Sequence, residues 1–186
     1  QHRQRFAREA RAMARLHHPH VVTIHDVGDD GETAYLVMDL LDGSVADVIG
    51  RAEAGEAPMP TIAERLRWIH EAAAGLQHLH DAGIVHRDVK PNNLLIDAAG
   101  RVRIGDLGLA FMEGEPELTR TGQAMGTALY AAPEQLRGEP ASPSGDVYAL
   151  AATAHRLFAG RAPRANPTET DYRADVPPAL RRFLLL

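Results

Sequence analysis

The sequence predicts an α+β fold within a single domain. The chain has 186 residues, enough for one sizeable hydrophobic core but too few for two complete domains. Hydrophobic residues make up 45% of the chain and charged residues 24%, a balance that is ordinary for a globular protein and argues against disorder. Segments with helical periodicity alternate with short β-rich runs, so we expect both kinds of element.

The first quarter of the chain is expected to form one helix followed by a hairpin. Residues 4–16 carry apolar side chains at helical spacing, and Pro19 ends that helix. Residues 21–24 and 35–38 are β-rich, and the turn residues 29–31 lie between them. The two runs therefore predict a pair of antiparallel strands.

The next segment is predicted to be mainly helical. Residues 44–50 suggest a short helix, and residues 54–60 read as a loop. Thr61 then caps a long helix that ends at residues 81–83. One face of this helix is expected to be apolar and to consist of Ile62, Leu66, Ile69, Ala73, Leu76 and Leu79.

The last part of the chain combines short apolar runs with one further helix. Residues 94–96 and 102–104 are short apolar runs with turns between them, and residues 111–128 suggest an exposed loop. A helix is expected from Asp146 to Phe158. Its shared apolar face is predicted to contain Val147, Leu150, Ala151, Ala154 and Leu157.

Charge and composition exclude several classes of function. With 25 acidic and 20 basic residues the net charge is −5, which disfavours a nucleic-acid partner or an anionic membrane surface. The absence of cysteine excludes disulfides, thiolate metal sites and a cysteine nucleophile. No apolar run approaches the length of a membrane span, so we expect no membrane contact from this segment. Because the chain begins at Gln1, we expect it to be cut from a longer protein.

The residues that could carry chemistry cluster between two apolar runs. Polar side chains crowd residues 86–93, and Asp106 follows another apolar run eighteen residues after Asp88. Aspartate and asparagine supply the hard oxygen ligands that Mg²⁺ prefers. A nearby lone carboxylate can act as a base or orient a hydroxyl, and a lysine can neutralise a phosphoryl group in transfer. We therefore expect Asp88, Lys90, Asn93 and Asp106 to converge.

Several motifs in order give the chain a resemblance to a known family. HRDVKPNN at residues 86–93 resembles the catalytic loop of eukaryotic-like serine/threonine protein kinases, here of the bacterial type. DLG at 106–108 resembles their DFG motif, and GTALYAAPE at 126–134 resembles the loop that seats the substrate. FAREARAMARLHHPHVV and YLVMDLLDG resemble the helix that carries a paired glutamate and the strand leading to the hinge. The resemblance implies a bilobal fold with a mostly α-helical large lobe. It divides the chain into a partial small lobe at 1–38, a hinge at 39–43 and an incomplete large lobe at 44–186.

The resemblance also implies the roles of the catalytic residues. Asp88 would orient the substrate hydroxyl and accept its proton, and Lys90 would neutralise the γ-phosphate of ATP. Asn93 and Asp106 would hold Mg²⁺, or Mn²⁺, against the phosphates. Thr127 would form a hydrogen bond near Asp88 and Lys90. The Lys-Pro pair at 90–91 is similar to kinases that act on serine and threonine, so the expected partners are ATP and protein substrates.

Nucleotide binding is implied for a second group of residues. The backbone of Asp39 and Leu41 would bind adenine behind Met38, with Leu95 packed under the ring. The Asp39 side chain stands where glutamate is commoner, and this difference is expected to matter little. Glu9 would pair with a lysine of the small lobe. An ordered stack of buried side chains would be formed by Ile24, Met13, Leu107 and His86, anchored by Asp146.

Regulation by phosphorylation is implied as well. Arg87 immediately precedes Asp88, a pattern that resembles kinases switched by phosphorylation of the activation loop. Thr119 and Thr121 lie between DLG and APE, at positions that resemble those autophosphorylated in bacterial serine/threonine kinases. A phosphothreonine adds charge and acceptor oxygens that an arginine can pair.

Two family features are absent from the sequence. No glycine-rich phosphate loop is present, and Lys90, the only lysine, already belongs to the catalytic loop. Chain order would place both missing features before Gln1, so we expect truncation and an inactive segment. A pseudokinase scaffold and a small-molecule phosphotransferase stay open as alternatives. A cytoplasmic location is expected, and the parent protein could still carry a membrane anchor elsewhere. The histidines at 17, 18, 20, 70, 78 and 80 are expected to be structural and not metal ligands.

Overall fold

The computed structural model describes residues 14, 16–29, 34–106, 128–161 and 168–184. Both helices and strands are present, which confirms the α+β prediction. The strands are β1 (Ile24–Asp29), β2 (Ala34–Met38), β3 (Gly43–Ser44), β4 (Leu94–Ile96) and β5 (Val102–Ile104). The helices are α1 (Val45–Glu53), α2 (Ile62–Asp81), α3 (Pro133–Leu136), α4 (Pro143–Ala159) and α5 (Pro178–Phe183). Single 3₁₀ turns cover Pro91–Asn93 and Glu169–Asp171.

Strands β1 and β2 form the expected antiparallel hairpin. Their register runs from Asp29 opposite Ala34 to Ile24 opposite Met38. The first strand nevertheless begins at Ile24, whereas the sequence pattern placed it at residues 21–24. Val21 is buried and forms a single bridge with Ile104, because the chain passes β5 before it enters the hairpin.

A second antiparallel sheet, in the order β3-β4-β5, supports the polar loop. Leu94 pairs with Ile104 and Ile96 with Val102, while Ser44 pairs with Leu95. The 3₁₀ turn that ends at Asn93 leads directly into β4, and Asp106 follows β5 after one residue. This short sheet therefore brings residues 86–93 and Asp106 to the same end.

Helix α2 begins where its sequence predicts. The Thr61 hydroxyl accepts a hydrogen bond from the Glu64 N–H at 3.2 Å, and the Glu64 carboxylate accepts one from the Thr61 N–H at 2.8 Å. This reciprocal capping box satisfies two donors that a helix start otherwise leaves unpaired. Hydrogen bonds from Thr61 lower the pKa of Glu64, against a smaller opposing effect of burial.

The predicted apolar face of α2 is partly wrong. Leu66 is 44% exposed and Ala73 is exposed. The face that packs on α4 and β5 instead comprises Arg65, Trp68, Ala72, Leu76 and Leu79. A charged residue can occupy this face because its guanidinium donates to the Leu157 carbonyl at 3.2 Å and pairs with the Asp175 carboxylate.

Helix α4 differs from its prediction in start and in buried face. It begins at Pro143, three residues before the expected start, because Ser142 caps it by accepting from the Gly145 N–H at 3.2 Å. Val147 is 58% exposed and Ala151 is exposed, so their predicted burial is wrong. The helix is enclosed on several sides, and its buried positions include Asp146, Ala149, Leu150, Thr153, Ala154, Leu157 and Phe158.

Several predictions concern residues outside those the structure describes. These are the helix at 4–13, the turn at 30–31 and the loop at 111–127. Ala14 and Leu16 are described and are not helical. Of the expected buried stack, Ile24 and His86 are buried, whereas Met13 and Leu107 lie outside the described residues. In the described part of the chain, no helix has both the length and the apolar character needed to cross a membrane.

Candidate active site

The backbone of the polar loop is fixed by one buried carboxylate. Asp146, in the first turn of α4, accepts hydrogen bonds from the His86 N–H and the Arg87 N–H, each at 2.8 Å. Arg87 has a φ of +76°, a conformation that non-glycine residues rarely adopt. Strained conformations of this kind persist only where neighbours hold them, and they cluster at functional sites. Asp146 holds this conformation from the N–H side of Arg87.

Two histidines extend the hydrogen bonding around that carboxylate. The His80 ring Nε2 lies 2.8 Å from Oδ2 of Asp146, the same oxygen that accepts from the His86 N–H. The His86 Nε2 lies 2.9 Å from the Gly105 carbonyl oxygen, which can only accept, so this nitrogen carries the hydrogen. The His86 Nδ1 then accepts from the Asp88 N–H at 3.2 Å. Through these two contacts His86 couples the loop to the end of β5.

Asp88 lies at the centre of the candidate site. It is only 8% exposed. The Lys90 Nζ lies 2.6 Å from its Oδ2, and the Asn93 Nδ2 donates to the same oxygen at 3.0 Å. The Asn93 amide also donates to the Asp88 carbonyl at 2.7 Å. The predicted convergence of Lys90 and Asn93 on Asp88 is therefore present in the structure.

The arrangement around Asn93 suits a hard cation. Its amide nitrogen donates to the carbonyl and to the carboxylate of Asp88, so its side-chain oxygen is the group that can ligate a cation. The Gly105 N–H donates to the Asn93 carbonyl at 2.9 Å and brings Asp106 alongside. Asp106 is exposed and has a φ of +49°. Two such oxygens fit Mg²⁺, which is usually held by one or two protein groups together with phosphates and water.

The rings of three histidines, His18, His20 and His78, pack against one another. Among the residues that the structure describes, no group of three or more histidine, aspartate or glutamate side chains is placed to hold a metal ion. The His18 and His78 rings stack with centroids 4.8 Å apart, and the His20 ring meets His18 edge-on at 5.5 Å. Burial, and then the neighbouring His78 and His20, lower the pKa of His18.

The segment between β2 and β3 connects the two sheets. Met38 ends β2, and Asp39 and Leu41 follow it. The Asp39 N–H donates to the Thr23 carbonyl at 3.1 Å. Leu95, in β4, is half-buried, and a Cβ on Gly105 would lie only 2.6 Å from its Cδ1. Glycine at position 105 is therefore needed for the close approach that positions Leu95.

The Asp39 side chain holds the segment after β2 in place, although the identity of this residue was expected to matter little. Its two oxygens accept hydrogen bonds from the His25 Nε2 and the Arg103 Nη1, each at 2.8 Å. Burial raises its pKa, but the hydrogen bonds from His25 and Thr23 and the charge of Arg103 outweigh that effect and lower it. This network ties β1, the segment after β2 and β5 together.

Gln135 is a further contributor that the sequence reasoning missed. Its side-chain Nε2 donates to the Arg87 carbonyl at 3.2 Å, and its Oε1 accepts from the Ala132 N–H at 3.0 Å. The GTALYAAPE segment is thereby attached to the polar loop. The signal in the sequence for this role of Gln135 was its position directly after Glu134, the last residue of that segment.

Four predicted site residues, Glu9, Thr119, Thr121 and Thr127, lie outside the described residues.

Comparison with known proteins assigns the chain to a family. The protein kinase domain model matches residues 1–181, so the chain belongs to the protein kinase domain family, as its motifs predicted. It is 42% identical over 171 residues to the serine/threonine-protein kinase PknA of Mycobacterium tuberculosis, covering 87% of the chain and 38% of that protein. It is 40% identical over 159 residues to PknL of the same organism, covering 86% of the chain and 39% of that kinase. A probable serine/threonine-protein kinase of Bifidobacterium longum, pknA2, is 38% identical over 160 residues, 86% of the chain and 21% of its own length. The chain thus spans less than half the length of these relatives.

Proposed function

We propose that the protein transfers the γ-phosphoryl group of ATP to serine or threonine hydroxyls of other proteins. The observation that carries this proposal is the contact of Lys90 and Asn93 with a single carboxylate oxygen of Asp88. The names of the relatives support the same reaction and the same acceptor residues.

In this proposal Asp88 acts on the substrate hydroxyl and Lys90 acts on the transferred phosphoryl group. The Asp88 carboxylate orients the substrate hydroxyl and takes its proton, because Lys90 and Asn93 both bind Oδ2 and Oδ1 can face the substrate. The substrate oxygen forms a bond to the γ-phosphorus while the bond to the bridging oxygen of ADP breaks. The Lys90 ammonium neutralises charge on the transferred group, and Thr127 assists by hydrogen bonding nearby.

Asn93 and Asp106 are the proposed ligands of Mg²⁺, or of Mn²⁺ in its place. When bound, the cation supplies charge neutralisation on the phosphates of ATP. The amide oxygen of Asn93 is oriented for ligation because its nitrogen is held by Asp88. The φ of +49° at Asp106 turns the chain sharply after β5.

We further propose that the segment after β2 binds adenine. The carbonyl of Asp39 and the backbone of Leu41 are the expected contacts, because the Asp39 N–H is already bonded to Thr23. Met38 and Leu95 would bound the ring, and Glu9 would pair with a lysine that positions the phosphates. Because the donor is ATP, a cytoplasmic location is proposed for this domain.

Activation by phosphorylation is the proposed regulation. Phosphate on Thr119 or Thr121 would pair with the guanidinium of Arg87. Asp146 binds the N–H of Arg87, and Gln135 binds its carbonyl. Because Arg87 is joined directly to Asp88, a phosphate that fixes the Arg87 side chain would also help to fix the position of Asp88.

The test is a phosphoryl-transfer assay on the protein at its natural length. Labelled ATP with Mg²⁺ is offered together with a serine/threonine peptide library, a hexose and an aminoglycoside, and an EDTA sample is the control. Label on serine or threonine that EDTA abolishes supports the proposal. Label on a small molecule would instead indicate a small-molecule phosphotransferase. A folded protein that transfers no label to any of these acceptors would contradict the proposal and favour the pseudokinase scaffold.

A further inference from the structure

A pocket opens beside the candidate active site. One wall is formed by Pro91 and Asn92, the two residues between Lys90 and Asn93. Since both flanking side chains contact Asp88, the pocket adjoins the place where a substrate hydroxyl would sit. Its floor is apolar and includes Ile49 and Leu157.

The polar part of the pocket carries an unusual balance of charge. Arg156 lines it and binds both oxygens of Glu53, each at 2.8 Å. Arg173 pairs with the same carboxylate. Two guanidinium groups thus share one carboxylate, which leaves a net positive charge at the wall. The hydrogen bond from Arg156 is the main cause that lowers the pKa of Glu53.

Two neutral donors complete the pocket. Tyr130 lines the pocket together with Arg156, and burial raises the pKa of this phenol, so it stays protonated. The exposed side-chain amide of Asn92 lies at the rim. A guanidinium has five N–H donors, and Glu53 occupies two of those on Arg156. Donors therefore remain for a second acceptor.

We infer that this pocket selects protein substrates that carry an acidic side chain close to the phosphorylated serine or threonine. The inference rests on the proposed function and names the substrate class of that site. An extended residue advances the chain by about 3.3–3.6 Å, so a side chain within three residues of the acceptor can reach the pocket. A carboxylate there meets Arg156 and Asn92. A basic side chain there would be repelled by the net positive charge, because Glu53 is already paired with two arginines.

The experiment compares matched peptides on the protein at its natural length. A neutral peptide with one threonine is varied to Glu, Gln or Arg at each of the three positions on either side. At one position, Glu is expected to raise kcat/KM about tenfold over Gln, the effect of one charge-assisted hydrogen bond. Arg at that position is expected to lower kcat/KM below Gln.

Variants at the exposed rim separate recognition from folding. Asn92→Asp is expected to abolish the Glu/Gln ratio at that position, and Asn92→Lys to increase it. Glu53→Gln is expected to increase the ratio as well, because it releases Arg156. Each ratio is taken within one variant, so a general loss of activity cancels.

The outcomes distinguish this inference from the proposed function. Equal rates on the Glu and Gln peptides, a preference for Arg, or a ratio unaltered by Asn92→Asp would each overturn the inference while kinase activity stands. If no peptide is phosphorylated, including the Gln reference, the proposed function itself fails and the inference fails with it.

Discussion

Replacing Asp146 with asparagine tests how the candidate active site is held. The buried carboxylate accepts from the His86 and Arg87 N–H groups and lies beside the His80 ring, with all three contacts at 2.8 Å. An amide has only one acceptor oxygen. If that oxygen keeps the two contacts of Oδ2, its NH₂ group faces the Arg87 N–H, and a hydrogen bond becomes a contact between two donors.

The expected cost follows from these contacts. Loss of a hydrogen bond to a charged group costs roughly 1.5–3 kcal/mol, and the orphaned, buried N–H adds roughly 1–3 kcal/mol. We expect Asp146→Asn to lower the free energy of unfolding by about 3–5 kcal/mol. In a domain of this size each kcal/mol shifts Tm by roughly 2–4 °C, so Tm should fall by roughly 6–20 °C.

Calorimetry on the protein at its natural length measures this shift. The matched control is Asp81→Asn on the exposed end of α2, where the carboxylate contacts only Gln77 among the described side chains. The control should change Tm by less than about 2 °C, as surface substitutions usually do. An equal Tm shift in the two variants would refute the anchoring role of Asp146.

Three further predictions concern other parts of the molecule. Arg103→Ala removes the 2.8 Å contact that holds Asp39, so steady-state kinetics should show KM for ATP rising roughly threefold with KM for peptide unchanged. Arg103→Lys should restore part of the loss. Equal changes in both KM values would argue against a role of Arg103 in positioning the adenine-binding segment. Thr61→Ala removes the α2 cap and should cost about 1 kcal/mol in urea unfolding, whereas an unchanged midpoint would show that the cap contributes nothing. Because the pKa of His18 is lowered in the folded protein, the unfolded chain binds this proton more readily as the pH falls below about 6.5. The free energy of unfolding should therefore decrease from pH 7.5 to 5.5, and His18→Gln should make Tm less dependent on pH. A slope that His18→Gln leaves unaltered would assign it to other groups.

Local signals made part of the fold predictable. The start of α2 depends on Thr61 and Glu64, which are three residues apart, so the capping pattern could be identified in the sequence. The buried face of the same helix could not. Arg65 occupies it because Leu157 and Asp175, far along the chain, bind its guanidinium. Periodicity alone favours Leu66 over an arginine at such a position.

The candidate site was also predictable only where its residues are close together in the sequence. The loop of residues 86–93 was identifiable because its chemistry lies within one short segment. The contacts that support it join distant positions: Asp39 with Arg103 is separated by 64 residues and Gln135 with Arg87 by 48. Neither pair follows from a local pattern, since the sheet and α3 bring the partners together. Glu9, Thr119, Thr121 and Thr127 stay predictions.

The most direct test of the account is a paired measurement on Asp88→Asn in the protein at its natural length. The asparagine keeps the size of the side chain but cannot take the proton of a substrate hydroxyl. We expect kcat for threonine phosphorylation to fall at least about a hundredfold, the usual range for loss of a general base, while the Kd for ATP with Mg²⁺ changes by less than about twofold. A variant with full phosphoryl transfer would contradict the role of Asp88 and with it the proposed mechanism.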